Sequence, residues 1–571
     1  MTPPPPIPDA GPPGMDPLAT IAAIVRAAAD APQPPASDPA PEGDARDFDG
    51  FEDFDPGEDA APPSGPAVDE ETVKRCAGEA QNDIGNARRL IAHFGEDLRC
   101  GRELGWHVWT GTHWDMEGGK SAIETRAHWT ASRIVLEARV LKPFAGEKEE
   151  DFDKRRASRR KFGISSGNRA RTVAMIQQAE PYLTVPVDAF DADPLLVAVQ
   201  NGVLRFTREL DPECPEPDAV RWKGSFSFQP HRREDLVTKV MPVAYDKDAK
   251  CPCFQAFLDR FQPNPLMQRF LQVFHGLGII GRTVQALVFH YGGGANGKST
   301  FINAICDLMG AYAQQLSAES LTGQGQRRGD QATPDLARLP GARLVRVSEL
   351  PRGEPLKEAL VKQLTGGEPM LVRHLNKGFF EFLPVFKAVM SGNDKPRIGG
   401  VDHGIWRRMR LVPWEVTIPD AEQREMGEVL AEFAAERSGI LNWLIEGARL
   451  FLVEGLVTPE EVIAATAEYR EEMDPIGSFM ADCVERTDPS ENASVTARQM
   501  YEAYVSWSLA NARRPWKETA FGSAMPHKGL TKTKERVRRY LDCRLHDVPA
   551  RPDAQHADAP RSPQNPYGDL E

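Results

Sequence analysis

The sequence predicts an α/β fold built on a P-loop NTPase core, and three observations carry that expectation. Gly292-Gly293-Gly294-Ala295-Asn296-Gly297-Lys298-Ser299 matches the phosphate-cradling pattern G-x-x-x-x-G-K-[ST] at every specified position. The apolar run Ala286-Leu287-Val288-Phe289 reads as a buried strand in front of it, and Thr300 to Met309 reads as a helix behind it. Downstream, Ala342-Arg343-Leu344-Val345-Arg346-Val347 and Phe386-Lys387-Ala388-Val389-Met390 read as further core strands that end in polar residues.

In such a loop the glycines let backbone N–H groups turn towards phosphates, and the helix N-terminus adds partial positive charge. Lys298 is expected to reach the β/γ-phosphates, and Ser299, followed by Thr300, supplies a hydroxyl for Mg²⁺. ATP and Mg²⁺ are therefore the expected cofactors.

The strand ends supply the remaining chemistry. Ser348-Glu349 closes one strand, and Glu349 is the candidate Walker B acid; Ser348 replaces the usual first acid, so Glu349 reads as the carboxylate that prepares water, and metal coordination leans on Ser299. Ser391-Gly392-Asn393 closes another, placing the Asn393 amide where it can sense a γ-phosphate or orient water. Gly404-Ile405-Trp406-Arg407-Arg408 sets two arginines behind an aromatic anchor, a pair that reads either as surface charge or as phosphate-stabilising arginines across a subunit interface. Between them, Lys362 to Glu368 forms a turn, and Val372-Arg373-His374-Leu375-Asn376-Lys377 suits a hairpin tipped with positive charge.

The chain has 571 residues, which implies two to four domains. Its net charge of −14 excludes a uniformly basic nucleic-acid binder. Residues 1–70 carry fifteen acids against two arginines among many prolines, the composition of a disordered tail, so the rest is close to neutral. Asp47-Phe48-Asp49 and Asp53-Phe54-Asp55 in that tail resemble metal-binding pairs, but a catalytic pair needs a folded sheet. No run of eighteen apolar residues and no signal peptide is present, so a cytoplasmic protein without membrane contact is expected. The eight scattered cysteines suit a reducing compartment, and Cys251-Pro252-Cys253 reads as two ordinary thiols.

From about 71 to 250 the pattern is α+β: a helix from Ile84 to Phe94 stopped by Gly95, and an aromatic hairpin from Trp106 to Trp114. The basic run Lys154 to Lys161 reads as a solvated helix face, with phosphate contact as a secondary reading. Towards the C-terminus, Thr496 to Trp507 reads as an amphipathic helix, followed by Lys517 to Met525 and a basic run from Lys528 to Arg539. Residues 549–571 read as a second tail.

Taken in order, these motifs resemble the phage and plasmid primase–helicase family, whose motor is a superfamily 3 helicase with an AAA+ fold. The resemblance covers about 80 to 545 and rests on Asp188 to Asp193 with Asn201-Gly202-Val203, Gly276-Leu277-Gly278, Asn296 to Thr300, Leu364-Thr365-Gly366-Gly367, Ser391-Gly392-Asn393 and Gly404 to Arg408. It implies an N-terminal domain at 71–250, an AAA+ ATPase at 251–460 and a winged-helix-like module at 461–548. It also implies a homo-hexameric ring that hydrolyses ATP between subunits and moves 3′ to 5′ on single-stranded and forked DNA, alongside host or phage replication proteins. By the same resemblance Lys298 and Ser299 bind phosphate and Mg²⁺, Glu349 is Walker B, Asn393 is the sensor, and Arg407 or Arg408 is the arginine finger. Arg373 and Lys377 would engage DNA, and Lys532, Lys534, Arg536, Arg538 and Arg539 would touch phosphates from the wing. The family's frequent primase domain is missing from this pattern. Two other readings stay open: a nucleotide-gated initiator that binds an origin without unwinding, favoured by Ser348, and a primase–helicase with an unrecognised primase site.

Overall fold

A computed structural model describes residues 65–210, 222–323, 332–348, 350, 353–376, 378–399, 403–533 and 537–550. Glu349, Lys377, Lys534, Arg536, both Asp-Phe-Asp runs, nearly all of the N-terminal tail and residues 551–571 lie outside the described residues.

The first layer is helical. Helices Glu70–Ala77, Asp83–Phe94, Gly119–Val140, Glu149–Ser166 and Arg169–Leu183 pack with a sheet of β1 (Leu98–Gly101), β2 (Gly105–Trp109), β3 (Trp114–Asp115) and β4 (Thr184–Val185), ordered β3-β2-β1-β4. Asp69 caps the first of these helices, which begins at the last residue of the predicted tail. Leu90, Leu98, Ile123, Ala127 and Met175 form the apolar centre of this layer. Beside it lies a charged centre: Arg89 donates to Glu137 at 2.7 and 3.0 Å, and Arg159 donates to the same carboxylate. The basic run on Glu149–Ser166 is therefore not a free cationic face. Arg155 is bound to Glu147 and the Lys142 carbonyl, Arg156 to the Ala138 carbonyl, and Arg159 to Glu137.

An antiparallel sheet of β5 (Leu196–Val199), β6 (Gly202–Leu210) and β7 (Trp222–Gln229) follows. Leu196, Leu204 and Phe206 share one core with Phe254, Phe270, Leu277 and Leu444. This core runs continuously across residue 250, from β5 and β6 to the helices that follow.

The main sheet is parallel and five-stranded. Its strands are β8 (Leu287–Tyr291), β9 (Ala313–Leu316), β10 (Leu344–Ser348), β13 (Lys387–Gly392) and β14 (Met409–Pro413), in the order β14-β8-β13-β10-β9. The short hairpin of β11 (Met370–Val372) and β12 (Phe380–Phe382) projects from it between β10 and β13 in the chain. Helices Pro265–Ile279 and Arg437–Glu454 cross closely on one side, and Gly276 permits it: a Cβ there would lie 2.4 Å from the Ala448 nitrogen. Helix Glu460–Met473 buries Val462 and Tyr469 in the same two cores as the parallel sheet. Residues on both sides of 461 therefore contribute to the sheet's packing.

A separate apolar centre begins at Ile476. It gathers helices Pro475–Cys483, Ala497–Ala510 and Glu518–Ala524 with β15 (Val484–Arg486), β16 (Ser494–Thr496), β17 (Arg539–Leu541) and β18 (Cys543–Leu545), paired β15-β18 and β16-β17. Thr496 and Gln499 form a capping box that fixes the start of the middle helix. No helix among the described residues is long and apolar enough to cross a membrane.

Candidate nucleotide and DNA sites

The parallel sheet brings the polar ends of β8, β10 and β13 to one edge, the edge where open α/β sheets bind ligands. The loop after β8 turns sharply into helix Lys298–Met309 through Gly294 (φ +108°), Ala295 (φ +44°) and Gly297 (φ +81°). Positive φ at three of four successive residues is the shape of a backbone nest that presents N–H groups to an anion. At Gly293 and Gly294 no atom lies within 4 Å of an added Cβ, so a ligand can approach the backbone there.

Lys298 is nearly buried. Its Nζ donates to the Asn393 Oδ1 at 2.7 Å, the Gly292 carbonyl at 2.9 Å and the Asn296 Oδ1 at 3.4 Å. All three acceptors are neutral, and burial pulls the ammonium below its ordinary pKa. A cation in this position gains most from an arriving polyanion. Asn393 follows β13, which lies directly beside β8, so strand pairing itself brings the two side chains together.

The loop opens on a cavity of about 580 Å³ that Lys298, Ser299, Thr300 and Asn393 line on one side. Phe257, Phe261, Ile418, Val429 and Phe433 form an apolar wall opposite. The rim carries ion pairs, Arg260 with Glu422 at 2.5 Å and Arg424 with Glu432 at 2.6 Å. The polar side thus suits a triphosphate with Mg²⁺, and the aromatic wall suits a base. The wall residues and Trp414 were not legible as site residues in the sequence; the only signal was the run of phenylalanines at 254, 257 and 261 on one helix, which also reads as core. Cys253 and Phe254 donate their backbone N–H groups to Glu436 at 2.9 and 3.0 Å, so a carboxylate caps the helix that Cys251-Pro252-Cys253 begins.

The two adjacent arginines diverge. Arg408 is buried, donates to the Gly404 carbonyl at 2.7 Å, and its own carbonyl accepts from Leu287 at the start of β8. Arg407 is exposed and lines a different cleft of about 790 Å³, with Trp406, Arg470, Asp474 and Asp482, that shares no residue with the P-loop cavity.

The candidate DNA contacts among the described residues, Arg373, Lys532, Arg538 and Arg539, fall in two separate places. Arg373 stands at the β11–β12 hairpin, its guanidinium 4.8 Å from the Phe379 ring centroid, beside the exposed Leu375. In the C-terminal module, Lys532 lies 5.4 Å from the Tyr540 ring centroid, Arg538 is exposed, and Arg539 donates to the Ser494 hydroxyl at 3.2 Å. The two places share no residue with the nucleotide cavity.

Comparison with known proteins finds one family model, several viral relatives and a set of solved structures. Residues 87–263 match the family model described as "D5 N terminal like". "Putative helicase L207/L206" of Acanthamoeba polyphaga mimivirus is 25% identical over 339 residues, covering 56% of this chain and 34% of that protein. "Putative helicase 022R" of Frog virus 3 is 28% identical over 333 residues, covering 53% and 32%. "Putative primase C962R" of African swine fever virus is 24% identical over 345 residues, covering 57% and 34%. The chain spans about a third of the length of these relatives. Among solved structures, the apo structure of the NrS-1 C terminal region covers 59% of this chain and 96% of that chain at 10% identity, with a TM-score of 0.35. The chain is thus similar to proteins of large DNA viruses named putative helicase or putative primase, and its residues 87–263 match the D5 N terminal like model.

Proposed function

We propose that this chain is an ATP-driven DNA helicase motor of the AAA+, superfamily 3 type, acting in replication of a phage, prophage or plasmid. The observation that carries the reading is the meeting of Lys298 and Asn393, 2.7 Å apart, at the ends of two neighbouring parallel strands behind a P-loop. The strand order, with the P-loop strand between the last strand and the Asn393 strand, supports the AAA+ assignment.

In this reading Lys298 exchanges the Asn393 amide for the β/γ-phosphates, and the released amide orients water or senses the γ-phosphate. Mg²⁺, when bound with the nucleotide, neutralises phosphate charge, and Ser299 and Glu349 would hold it. Arg407, exposed and outside its own P-loop cavity, serves the nucleotide of a neighbouring copy in a hexameric ring; Arg408 holds the loop that presents it. Arg373 and Lys377 on the hairpin grip single-stranded DNA. The C-terminal module acts as a winged helix whose Lys532, Lys534, Arg536, Arg538 and Arg539 touch duplex phosphates, which position without reading sequence.

ATP hydrolysis with and without single-stranded DNA, run beside unwinding of a 3′-tailed duplex, tests the reading in wild type and Lys298→Ala. DNA-stimulated hydrolysis and unwinding that both vanish in the variant are expected. A second reading, a nucleotide-gated initiator, is favoured by Ser348, which pairs with Ser391 where a metal-holding acid would stand. Hydrolysis indifferent to DNA, with duplex binding but no unwinding, would select it.

A further inference from the structure

Resting on the nucleotide-site reading, we infer that Trp414, His290 and His275 form a directional hydrogen-bond chain whose task is to orient Asn296 and, through it, Lys298. None of these three side chains belongs to the P-loop pattern.

The direction of each bond follows from donor chemistry. The Trp414 indole N–H can only donate, and it lies 2.9 Å from the His290 Nδ1, so that nitrogen is an acceptor. His290 is fully buried and held well below its ordinary pKa by that burial, hence neutral, with its proton on Nε2. The Leu271 carbonyl can only accept, and it lies 2.9 Å from the His275 Nδ1, so that nitrogen carries the proton. Burial brings His275 down to about 4, so its Nε2 keeps a free lone pair. The two Nε2 atoms are both buried without a hydrogen-bond partner, and the ring centroids are 5.7 Å apart. One is left a donor and the other an acceptor. A bond between them, direct or through a water, would need no proton to move.

At its other end the chain reaches the P-loop through the Trp414 backbone. Trp414 donates its N–H to the Tyr291 carbonyl at 2.8 Å and accepts from the Asn296 Nδ2 at 3.1 Å. Because the Asn296 NH₂ is committed to that carbonyl, its Oδ1 faces Lys298, where an ammonium needs an acceptor. A flipped amide would present hydrogens to the lysine instead. Phe301, from the helix behind the P-loop, lies 4.9 Å from His275, 5.9 Å from His290 and 5.6 Å from Trp414 between ring centroids, and shields the chain from bulk water. Trp414, His290 and His275 are therefore positioning residues.

The test is the affinity of the full chain for a non-hydrolysable ATP analogue with Mg²⁺, by calorimetry. Trp414→Phe keeps the ring and deletes the N–H; a loss of about tenfold is expected, with the melting temperature within a few degrees of wild type. His290→Leu should lose as much, while His290→Asn, whose Oδ1 stands near the place of Nδ1 and can accept from Trp414, should stay within about threefold. In a Lys298→Ala background Trp414→Phe should cost nothing further, because the chain acts through that lysine. Wild-type protein that binds no nucleotide would sink the nucleotide reading and this inference together. Wild-type binding with Trp414→Phe harmless, or equally harmful in both backgrounds, would overturn the inference alone, as would ¹⁵N shifts showing His290 protonated on Nδ1.

Discussion

Between three of the N-terminal helices lies a buried ion-pair cluster, with Glu137 clamped between Arg89 and Arg159. Beneath the P-loop, an equally buried network of His275, His290, Trp414 and Asn296 is neutral throughout. Burying charge costs desolvation that only close partners offset, so the first arrangement suits a place where nothing has to move. The second leaves Lys298 as a cation whose acceptors among the described residues are neutral, so an incoming phosphate meets no competing carboxylate in that set. Charged networks here hold helices together, and neutral ones hold a cation ready.

Removing the ready cation should have the largest effect. Under the proposed function, Lys298→Ala is expected to lower ATP turnover by about 10³-fold or more in a coupled assay, since in that reading the lysine stabilises charge that develops on the transferring phosphate. Its melting temperature should stay near that of wild type, because the deleted group is a desolvated cation and not half of a buried ion pair. A large loss of stability instead would mean that the P-loop network is structural in the same sense as the Glu137 cluster.

Glu137→Gln probes the other side. It leaves two buried guanidinium groups facing a neutral amide, and a loss of about 3–5 kcal/mol in urea unfolding is expected, with nucleotide affinity unchanged in the protein that remains folded. Replacing the whole cluster, Arg89→Met with Glu137→Leu and Arg159→Met, should recover most of that loss and fall within about 2 kcal/mol of wild type. Recovery stays incomplete because the Ala80 and Glu79 carbonyls, which Arg89 satisfies at 2.7 and 2.9 Å, lose their donor.

The contrast also explains what was legible in the sequence. The P-loop, its strand and its helix are local, so an apolar run, glycines and a lysine sufficed to place them. Asn393 was readable because a polar residue closed an apolar strand, and pairing of β13 with β8 then brought it to Lys298. The basic run on Glu149–Ser166 misled because charge in a sequence carries no sign of its partner: Glu137, which takes up Arg159, is on another helix. Arg407 and Arg408 are neighbours with the same side chain, yet Arg408 is buried and donates to the Gly404 carbonyl while Arg407 is exposed, a difference no local pattern shows. For the same reason the packing of β5, β6 and helix Glu460–Met473 is not legible locally, since they find their core against residues distant in the chain.

Lys387 is a third way of burying a basic group, and it sharpens the comparison with a smaller effect. It lies in the central strand β13, fully buried, with Nζ donating to the Val385 carbonyl at 2.7 Å and the Ile280 carbonyl at 3.2 Å. Burial, with the nearby Arg343 adding to it, holds its pKa well below the usual lysine value. Above that depressed pKa the folded protein holds a neutral amine, while the unfolded chain stays protonated up to pH ~10.4. Between the depressed folded pKa and the ordinary value, the unfolded state binds the extra proton, so this residue makes stability rise with pH. Lys387→Met deletes that contribution but leaves two carbonyls without a donor, at about 1 kcal/mol each, so the net change at pH 7 should be small. The difference between variant and wild type should nevertheless shift steadily in favour of wild type from pH 7 to 10, read as melting temperature across that range. Parallel curves would mean that Lys387 stays charged in the folded protein, held as Lys298 is by neutral carbonyl acceptors rather than by loss of its proton.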